Sequence, residues 1–173
     1  MVYAPKEFNE VQIAEMPANS DKAALGRNLK IALSSLTNNP SHAYTEVVLK
    51  VTDVNGEAAH TQILRLELLY SYIRSLVRRY KSIADCVFNS RTKDERSVTT
   101  KLLVVTRGRS AHTKLVGIRK EAIMYVNDYI SGKSFQEAVS SIVEGKLQQE
   151  LATKLSKIVP ISRVEIKKFE VNS

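Results

Sequence analysis

Residues 43–65 read AYTEVVLKVTDVNGEAAHTQILR. Two runs with many β-branched and aliphatic residues flank the pair Asn55-Gly56, which favours the backbone of a tight hairpin turn. The first run predicts the longest strand of the chain, residues 43–54, and the second predicts a returning strand at about 57–65. We therefore expect an antiparallel hairpin in this part of the chain.

Further strands are predicted on both sides of this hairpin, from alternating or β-branched segments. They cover residues 8–16, 27–36, about 84–91, about 97–106, and ISRVEIKKFEV after Pro160. Helices are predicted where apolar residues return every three or four positions, over about 66–83, 113–130, 134–144 and 145–158. We expect an α+β fold in a single domain of residues 1–173, with a mostly antiparallel sheet, open or curled into a barrel, flanked by about four helices.

The segment SGKS at 131–134 has the ending of a phosphate-binding loop. The glycine that such a loop needs five positions before Gly132 is replaced by Asn127, and the segment joins two predicted helices instead of a strand and a helix. Gly132 as a helix end, and Ser134 with Glu137 as a capping box, explain the pattern better.

No pattern typical of catalysis or metal binding stands out. The three histidines, His42, His60 and His112, lack metal-ligand spacing. The single cysteine, Cys86, lies in a predicted strand and indicates a buried thiol without a disulfide, which suits the cytoplasm. We expect no enzyme activity, cofactor or metal, and an enzyme is a third alternative that would need His112 beside a buried carboxylate.

Membrane insertion and secretion are also not indicated. The sequence has no run of 18 apolar residues, and its opening lacks the basic-then-apolar layout of a secretion signal. Lysine and arginine outnumber aspartate and glutamate by 26 to 18, which gives a net charge of +8. This balance favours a polyanionic partner, nucleic acid before anionic membrane.

One concentration of charge lies on the predicted helix over 66–83. At 100° per residue, Arg74, Arg78 and Lys81 fall on one stripe. No acidic residue follows Glu67 on this helix to pair with them. The opposite side is predicted to dock on the sheet through Ile73, Leu76 and Tyr80. A solvated helix face would usually mix both signs of charge, whereas this one does not.

The denser concentration is residues 96–120, which hold seven lysines and arginines and no aspartate or glutamate. The centre, TRGRSAHTK at 106–114, is predicted as a loop that leads into a helix, where hydroxyl and backbone N–H groups can also bind phosphate oxygens. No base-reading motif is present. We expect RNA contacts from Arg107, Arg109, Lys114, Arg119 and Lys120, with Arg74, Arg78 and Lys81 as a second surface.

Several short motifs occur in an order that is typical of one family. The helix motif YIRSLVRR at 72–79 carries the closest likeness, and VTDVNG at 51–56 carries the next. The others are APK at 4–6 with Phe8 and Ile13, LGR at 25–27, RTKD at 91–94, IRK at 118–120, and Pro160 followed by RVEI at 163–166. Over nearly its whole length the chain resembles the archaeal and eukaryotic small-subunit ribosomal protein 3Ae family.

The resemblance implies a structural constituent of the small ribosomal subunit, located in the cytoplasm on the ribosome. It implies contacts with ribosomal RNA and with neighbouring ribosomal proteins, on the platform near the mRNA exit, with mRNA as a further partner. An archaeal-type member is implied, because the sequence lacks the longer tails of eukaryotic members.

The sequence departs from the family pattern at a few places. Leu69-Tyr70-Ser71 replaces the usual Thr-Arg-Asp, Glu95-Arg96 replaces a glycine and an aromatic residue, and the lysine-rich opening is missing. The alternative hypothesis is a non-ribosomal RNA-binding translation regulator or protein-interaction module that uses the same basic face, since a fold can be reused.

Overall fold

The computed structural model describes residues 1–5, 8, 11–17, 21–56 and 58–172. The chain forms two compact units, Met1–Leu69 and Tyr70–Ser173. We call them the N-terminal unit and the C-terminal unit. The candidate site lies in the C-terminal unit.

The N-terminal unit is a five-stranded sheet in the order β2-β1-β5-β4-β3. The pairing of β1 with β5 is parallel, and the other pairs are antiparallel. The elements are β1 (Val2–Tyr3), β2 (Gln12–Ala14), α1 (Asp21–Ala24), β3 (Asn28–Ala32), α2 (Leu33–Thr37), a 3₁₀ turn (Pro40–His42), β4 (Thr45–Asn55) and β5 (Ala58–Leu68).

The hairpin of β4 and β5 confirms the prediction made from residues 43–65. The two strands pair from Asn55 with Ala58 at the turn to Thr45 with Leu68 at the far end. Gly56 has a φ of +61°, which glycine adopts without steric cost. Glu57, the first residue of the predicted returning strand, lies outside the described residues.

Two other predictions for the N-terminal unit are correct only in part. The strand predicted over 27–36 ends at Ala32, and Leu33–Thr37 form helix α2, which buries Leu33 and Leu36. The strand predicted over 8–16 is reduced to β2. Its positions 9 and 10 lie outside the described residues.

The C-terminal unit contains a three-stranded antiparallel sheet in the order β6-β7-β8, with helices packed on it. Helix α4 packs on β6, and helix α6 packs on β8 and on α4. The elements are α3 (Tyr70–Leu76), β6 (Ile83–Arg91), β7 (Ser97–Thr106), α4 (His112–Ser131), α5 (Phe135–Val143), α6 (Lys146–Leu155) and β8 (Ile161–Val171).

Most boundaries in the C-terminal unit agree with the sequence predictions to within one or two residues. Helix α4 buries Ile118, Ala122, Val126 and Ile130 at a spacing of four, and α6 buries Leu147, Leu151 and Leu155. The capping box is confirmed, because the Ser134 hydroxyl accepts from the Glu137 N–H and the Glu137 carboxylate accepts from the Ser134 N–H. Cys86 is buried on β6, as predicted.

The helix predicted over 66–83 is wrong in its extent, since α3 covers only Tyr70–Leu76. Residues 66–68 instead extend β5 as partners of β4. The chain leaves the helix after Leu76 and enters β6 at Ile83. Strand pairing therefore overrides the helical period of the apolar residues at the N-terminal end of the predicted helix, and a turn at residues 78–81 interrupts it at the other end.

Two consequences follow from the shorter helix. Arg78 and Lys81 lie beyond its end, so they do not share a helical stripe with Arg74. Tyr80, which was predicted to dock on the sheet, is 72% exposed. A hydrogen bond from the Tyr72 hydroxyl to Glu165 instead connects α3 to β8.

The α+β class and the mostly antiparallel pairing are confirmed. Within the described part of each unit the strands lie in open order, so neither unit is a closed barrel. No helix of the described residues is both long and apolar enough to cross a membrane.

Candidate nucleic-acid interface

Three chain segments meet at one end of the sheet of the C-terminal unit. Ile83, the first residue of β6, pairs with Val105 near the end of β7. Thr106, the last residue of β7, pairs with Ile161, the first residue of β8. The segments that enter or leave these strands therefore lie side by side. We call residues 78–83, 105–111 and 160–163 the basic end.

Hydrogen bonds join the three segments. The buried Thr106 hydroxyl accepts from the Ser82 N–H at 2.9 Å and donates to the Gly108 carbonyl at 2.6 Å. The Ser82 hydroxyl accepts from the Ser110 N–H at 3.0 Å. The Arg107 N–H donates to the Pro160 carbonyl at 3.0 Å. These bonds hold the loops of the basic end in place relative to the sheet.

A cleft of about 270 Å³ opens at the basic end and presents three cationic side chains. The register of β7 and β8 shifts between Val105 and Thr106, which leaves Ser162 as an extra residue on β8. The Ser162 hydroxyl accepts from Lys81 Nζ at 3.3 Å. The lining residues are Tyr72, Ser75, Leu76, Arg78, Lys81, Val105, Ser162 and Arg163.

A partly buried acid lies beside this cleft. The Tyr72 hydroxyl donates to Glu165 Oε1 at 3.0 Å and accepts from Arg163 Nη1 at 2.7 Å. Burial raises the pKa of the Glu165 carboxyl above its usual value, while the Tyr72 hydrogen bond and the Arg163 charge oppose this rise. Burial, and then the charge of Glu165, raise the pKa of Tyr72. Glu165 is thus a counter-charge that partly neutralises Arg163.

The other cations of the basic end have no such counter-charge. Among the described residues, no carboxylate forms an ion pair with Arg78, Arg107 or Arg109. Arg107 Nε donates to the Ile161 carbonyl at 3.3 Å, and the Arg109 guanidinium lies 5.4 Å from the centre of the Tyr80 ring. These contacts orient the arginines and leave their positive charge uncompensated.

The remaining predicted site residues are spread over two helices. On α4, Lys114 and Lys120 are exposed, whereas Arg119 Nε donates to the Asp85 carbonyl oxygen at 3.3 Å. On α3, the Arg74 guanidinium lies 4.9 Å from the centre of the Tyr70 ring. The structure therefore gathers Arg78, Lys81, Arg107 and Arg109 at the basic end, and it places the other four on α3 and α4.

Sequence reasoning missed two residues of this site, Arg163 and Tyr80. Arg163 lies in an amphipathic strand that also carries Lys167, Lys168 and acidic residues. Because both signs of charge are mixed there, the sequence does not mark Arg163 as a residue of an RNA site. Tyr80 was assigned to the core because it fits the helical period. Only the pairing of β7 with β8, and the end of α3 at Leu76, place both residues at the basic end.

The histidines and acids do not form a metal site within the described residues. His42 Nδ1 lies 2.9 Å from the Thr37 hydroxyl, in the N-terminal unit, and His112 is exposed at the start of α4. What the basic end can do chemically is bind anions through guanidinium, ammonium and hydroxyl groups.

Comparison with known proteins supplies the family. A family model described as the Ribosomal S3Ae family matches residues 1–173. Similar proteins include one from Sulfurisphaera tokodaii, 34% identical over 98% of this chain and 88% of its own length, and one from Methanococcus vannielii, 33% identical over 98% and 77%. A third, from Haloarcula marismortui, is 32% identical over 96% of this chain and 78% of its own length. All three are called small ribosomal subunit protein eS1. With a match over its whole length, the chain belongs to the Ribosomal S3Ae family.

Proposed function

We propose that this chain is a structural constituent of the small ribosomal subunit and binds the ribosomal RNA of that subunit through the basic end. The family is one of ribosomal proteins, and its members named above are called small ribosomal subunit proteins. A ribosomal protein of this kind is structural and not an enzyme, as the sequence indicated.

The observation that carries the proposal is the grouping of cations at the basic end, where only Arg163 has a counter-charge among the described residues. Arg78, Lys81 and Arg163 line one cleft, and Arg107 and Arg109 extend from the neighbouring loop. Phosphate groups need charge, directed N–H donors and hydroxyls, and the cleft offers all three. Lys114, Arg119, Lys120 and Arg74 would broaden this surface along α4 and α3.

We also propose where the chain lies on the small subunit and which further partners it contacts there. The family resemblance implies the platform near the mRNA exit, with neighbouring small-subunit proteins and mRNA as further partners. It also implies that residues 1–173 act as one functional domain. The family match favours this reading over a free translation regulator or protein-interaction module, which would use the same basic face away from the ribosome.

The direct test compares RNA binding by two triple variants with the same loss of charge. The first combines Arg78→Gln, Lys81→Gln and Arg163→Gln in the cleft. The second combines Lys146→Gln, Lys154→Gln and Lys157→Gln, on or just after α6. Each phosphate contact makes the plot of log affinity against log salt concentration steeper by about 0.7–0.9. The cleft variant lacks three such contacts, so the magnitude of its slope should be smaller by about 2–3.

The measurement is the affinity for small-subunit ribosomal RNA over a series of salt concentrations, with urea unfolding as a check that both variants fold. The α6 variant should keep nearly the whole slope. Co-sedimentation of the tagged chain with small subunits from lysate tests the ribosomal location. Equal losses in both variants, or a salt-independent affinity, would refute the proposed RNA interface.

A further inference from the structure

Tyr80 adopts an unusual backbone conformation at the basic end. Residues 78–81 form a turn in which the Lys81 N–H donates to the Arg78 carbonyl at 3.3 Å. Tyr80 is the third residue of this turn and has a φ of +66°. Turns with a positive φ at this position favour glycine or asparagine, because a side chain there meets its own backbone. A tyrosine at this position is therefore not explained by turn geometry.

The Tyr80 ring is not used for packing either. It is 72% exposed, more than any other large apolar or aromatic side chain in the described part of the chain. The Arg109 guanidinium lies 5.4 Å from its centre. A cation over an aromatic ring orients the ring and makes a mixed stacking surface. Strained residues that do not serve the core are typical of binding sites.

The neighbours of Tyr80 are the cations of the cleft. Arg78 precedes it by two residues and Lys81 follows it directly, and both line the cleft together with Arg163. An aromatic face beside a cationic groove is the combination that binds single-stranded nucleic acid, because every unpaired base has a face that can stack. The bases of a continuous duplex are already stacked on each other and cannot use such a face.

We propose that the basic end takes an unpaired nucleotide of RNA, with its base stacked on Tyr80 and Arg109 and its phosphate in the cleft of Arg78, Lys81 and Arg163. This inference rests on the proposed function and deepens it, because it specifies a single strand, a loop or a bulge as the RNA segment that is bound. Stacking carries little base preference, so the identity of the base should matter little.

The test uses the full chain with a short single-stranded RNA and a duplex of the same length, at one salt concentration. Tyr80→Asn removes the ring and keeps a residue that tolerates a positive φ. We expect its affinity for the single strand to fall by about tenfold, since a stacked base contributes on this scale. Its affinity for the duplex should stay within about twofold. Tyr80→Phe should bind both RNAs as the wild type does, because it keeps the ring.

A second readout reports stacking itself. The test strand contains the fluorescent base 2-aminopurine. Binding to the wild type or to Tyr80→Phe should quench its fluorescence, and binding to Tyr80→Asn should quench it much less. Tyr44→Asn, at an exposed tyrosine in the N-terminal unit, serves as the matched control and should leave quenching unchanged. The salt slope of Tyr80→Asn should equal that of the wild type, because no charge is removed.

The outcomes separate this inference from the proposed function. If Tyr80→Asn binds the single strand as well as the wild type does, while the cleft variant binds poorly, the stacking site is wrong and the RNA interface stands. A preference for duplex would also overturn the inference. If neither RNA binds in a salt-dependent manner, the proposed function itself fails. Urea unfolding of Tyr80→Asn at a midpoint no lower than that of the wild type would exclude a folding defect.

Discussion

The Tyr72 hydroxyl donates a hydrogen bond of 3.0 Å to Glu165 Oε1 and so connects helix α3 to strand β8. The bond joins residues 93 positions apart in the sequence. It lies beside the cationic cleft, and Arg163 donates to the same hydroxyl. One tyrosine therefore contacts both a partly buried acid and a cation of the candidate RNA site.

Removal of the Tyr72 hydroxyl should destabilise the fold. Tyr72→Phe leaves the partly buried Glu165 carboxylate without this donor, and the expected loss is about 1–2 kcal/mol of the free energy of unfolding. Because the lost bond favours the ionised form of Glu165, the loss should be larger at neutral pH than at a pH below the pKa of Glu165. Urea unfolding at both pH values measures it. Tyr70→Phe, at a 68% exposed ring, should change stability by less than about 0.5 kcal/mol.

Removal of the Glu165 charge should strengthen RNA binding. Glu165→Gln keeps an acceptor for Tyr72 and frees Arg163 from its counter-charge, 3.8 Å away. The negative charge of Glu165 would repel a bound phosphate, and its removal should improve the free energy of binding by about 1 kcal/mol at a partly screened site. We therefore expect the affinity for RNA to increase by about fivefold. RNA titration checks this result. An unchanged affinity would mean that phosphate does not approach this cleft.

The same variant should alter the dependence of stability on pH. Burial raises the pKa of Glu165, so its protonated form is favoured in the folded state. The contribution to stability is present below the usual pKa of a glutamate and is lost as the pH rises through the raised pKa. Glu165→Gln should remove this part of the pH profile of the unfolding midpoint. A profile identical to that of the wild type would show that Glu165 does not titrate differently after folding.

The Cys86 thiol should be unreactive in the folded protein. Burial raises its pKa from 9.0 to about 11, and the side chain is 3% exposed. The thiolate is the reactive form, so labelling near pH 8 should be at least about a hundredfold slower than in denaturant. Labelling with a thiol reagent with and without urea measures the ratio. Rapid labelling without urea would place Cys86 at the surface.

The capping box of α5 should contribute measurably to stability. Ser134→Ala removes the hydroxyl that accepts from the Glu137 N–H, and loss of such a cap costs about 1 kcal/mol. Ser140→Ala, at an exposed position of the same helix, should change stability by less than about 0.5 kcal/mol. Equal effects of the two substitutions in urea unfolding would show that the cap does not stabilise the helix.

Short sequence patterns correctly predicted the turns, caps and strands whose structure is determined by residues close to each other in the sequence. Asn55-Gly56 identified the hairpin of β4 and β5, and Ser134 with Glu137 identified the start of α5. The strands over 97–106 and 161–171 were predicted with the bounds that the structure has. In each case the turn residue, the cap or the alternation of apolar residues is enough to decide the structure.

Helix α3 shows where local signals are insufficient. Its apolar residues repeat with a helical period over 66–83, yet the structure is helical only at Tyr70–Leu76. Strand β4 extends back to Thr45, which pairs with Leu68, so Leu68 belongs to β5 and not to the helix. Hydrogen bonds of Ser82 with Thr106 hold the start of β6 in the same way. Partners that are distant in sequence therefore decide where β5 ends and where β6 begins, and these two strands limit the stretch that can be helical.

The sequence by itself determined the family, the α+β class and the excess of positive charge, because these depend on composition, order and local periodicity. Only the tertiary structure decided which charges act together. The pairing of β6, β7 and β8 brings residues 78–81, 107–109 and 163 to one end of a sheet. It also places Glu165 next to Arg163, and it leaves Tyr80 exposed beside Arg109. The physical reason is that charge and stacking act through short distances, and strand pairing sets these distances between residues far apart in sequence.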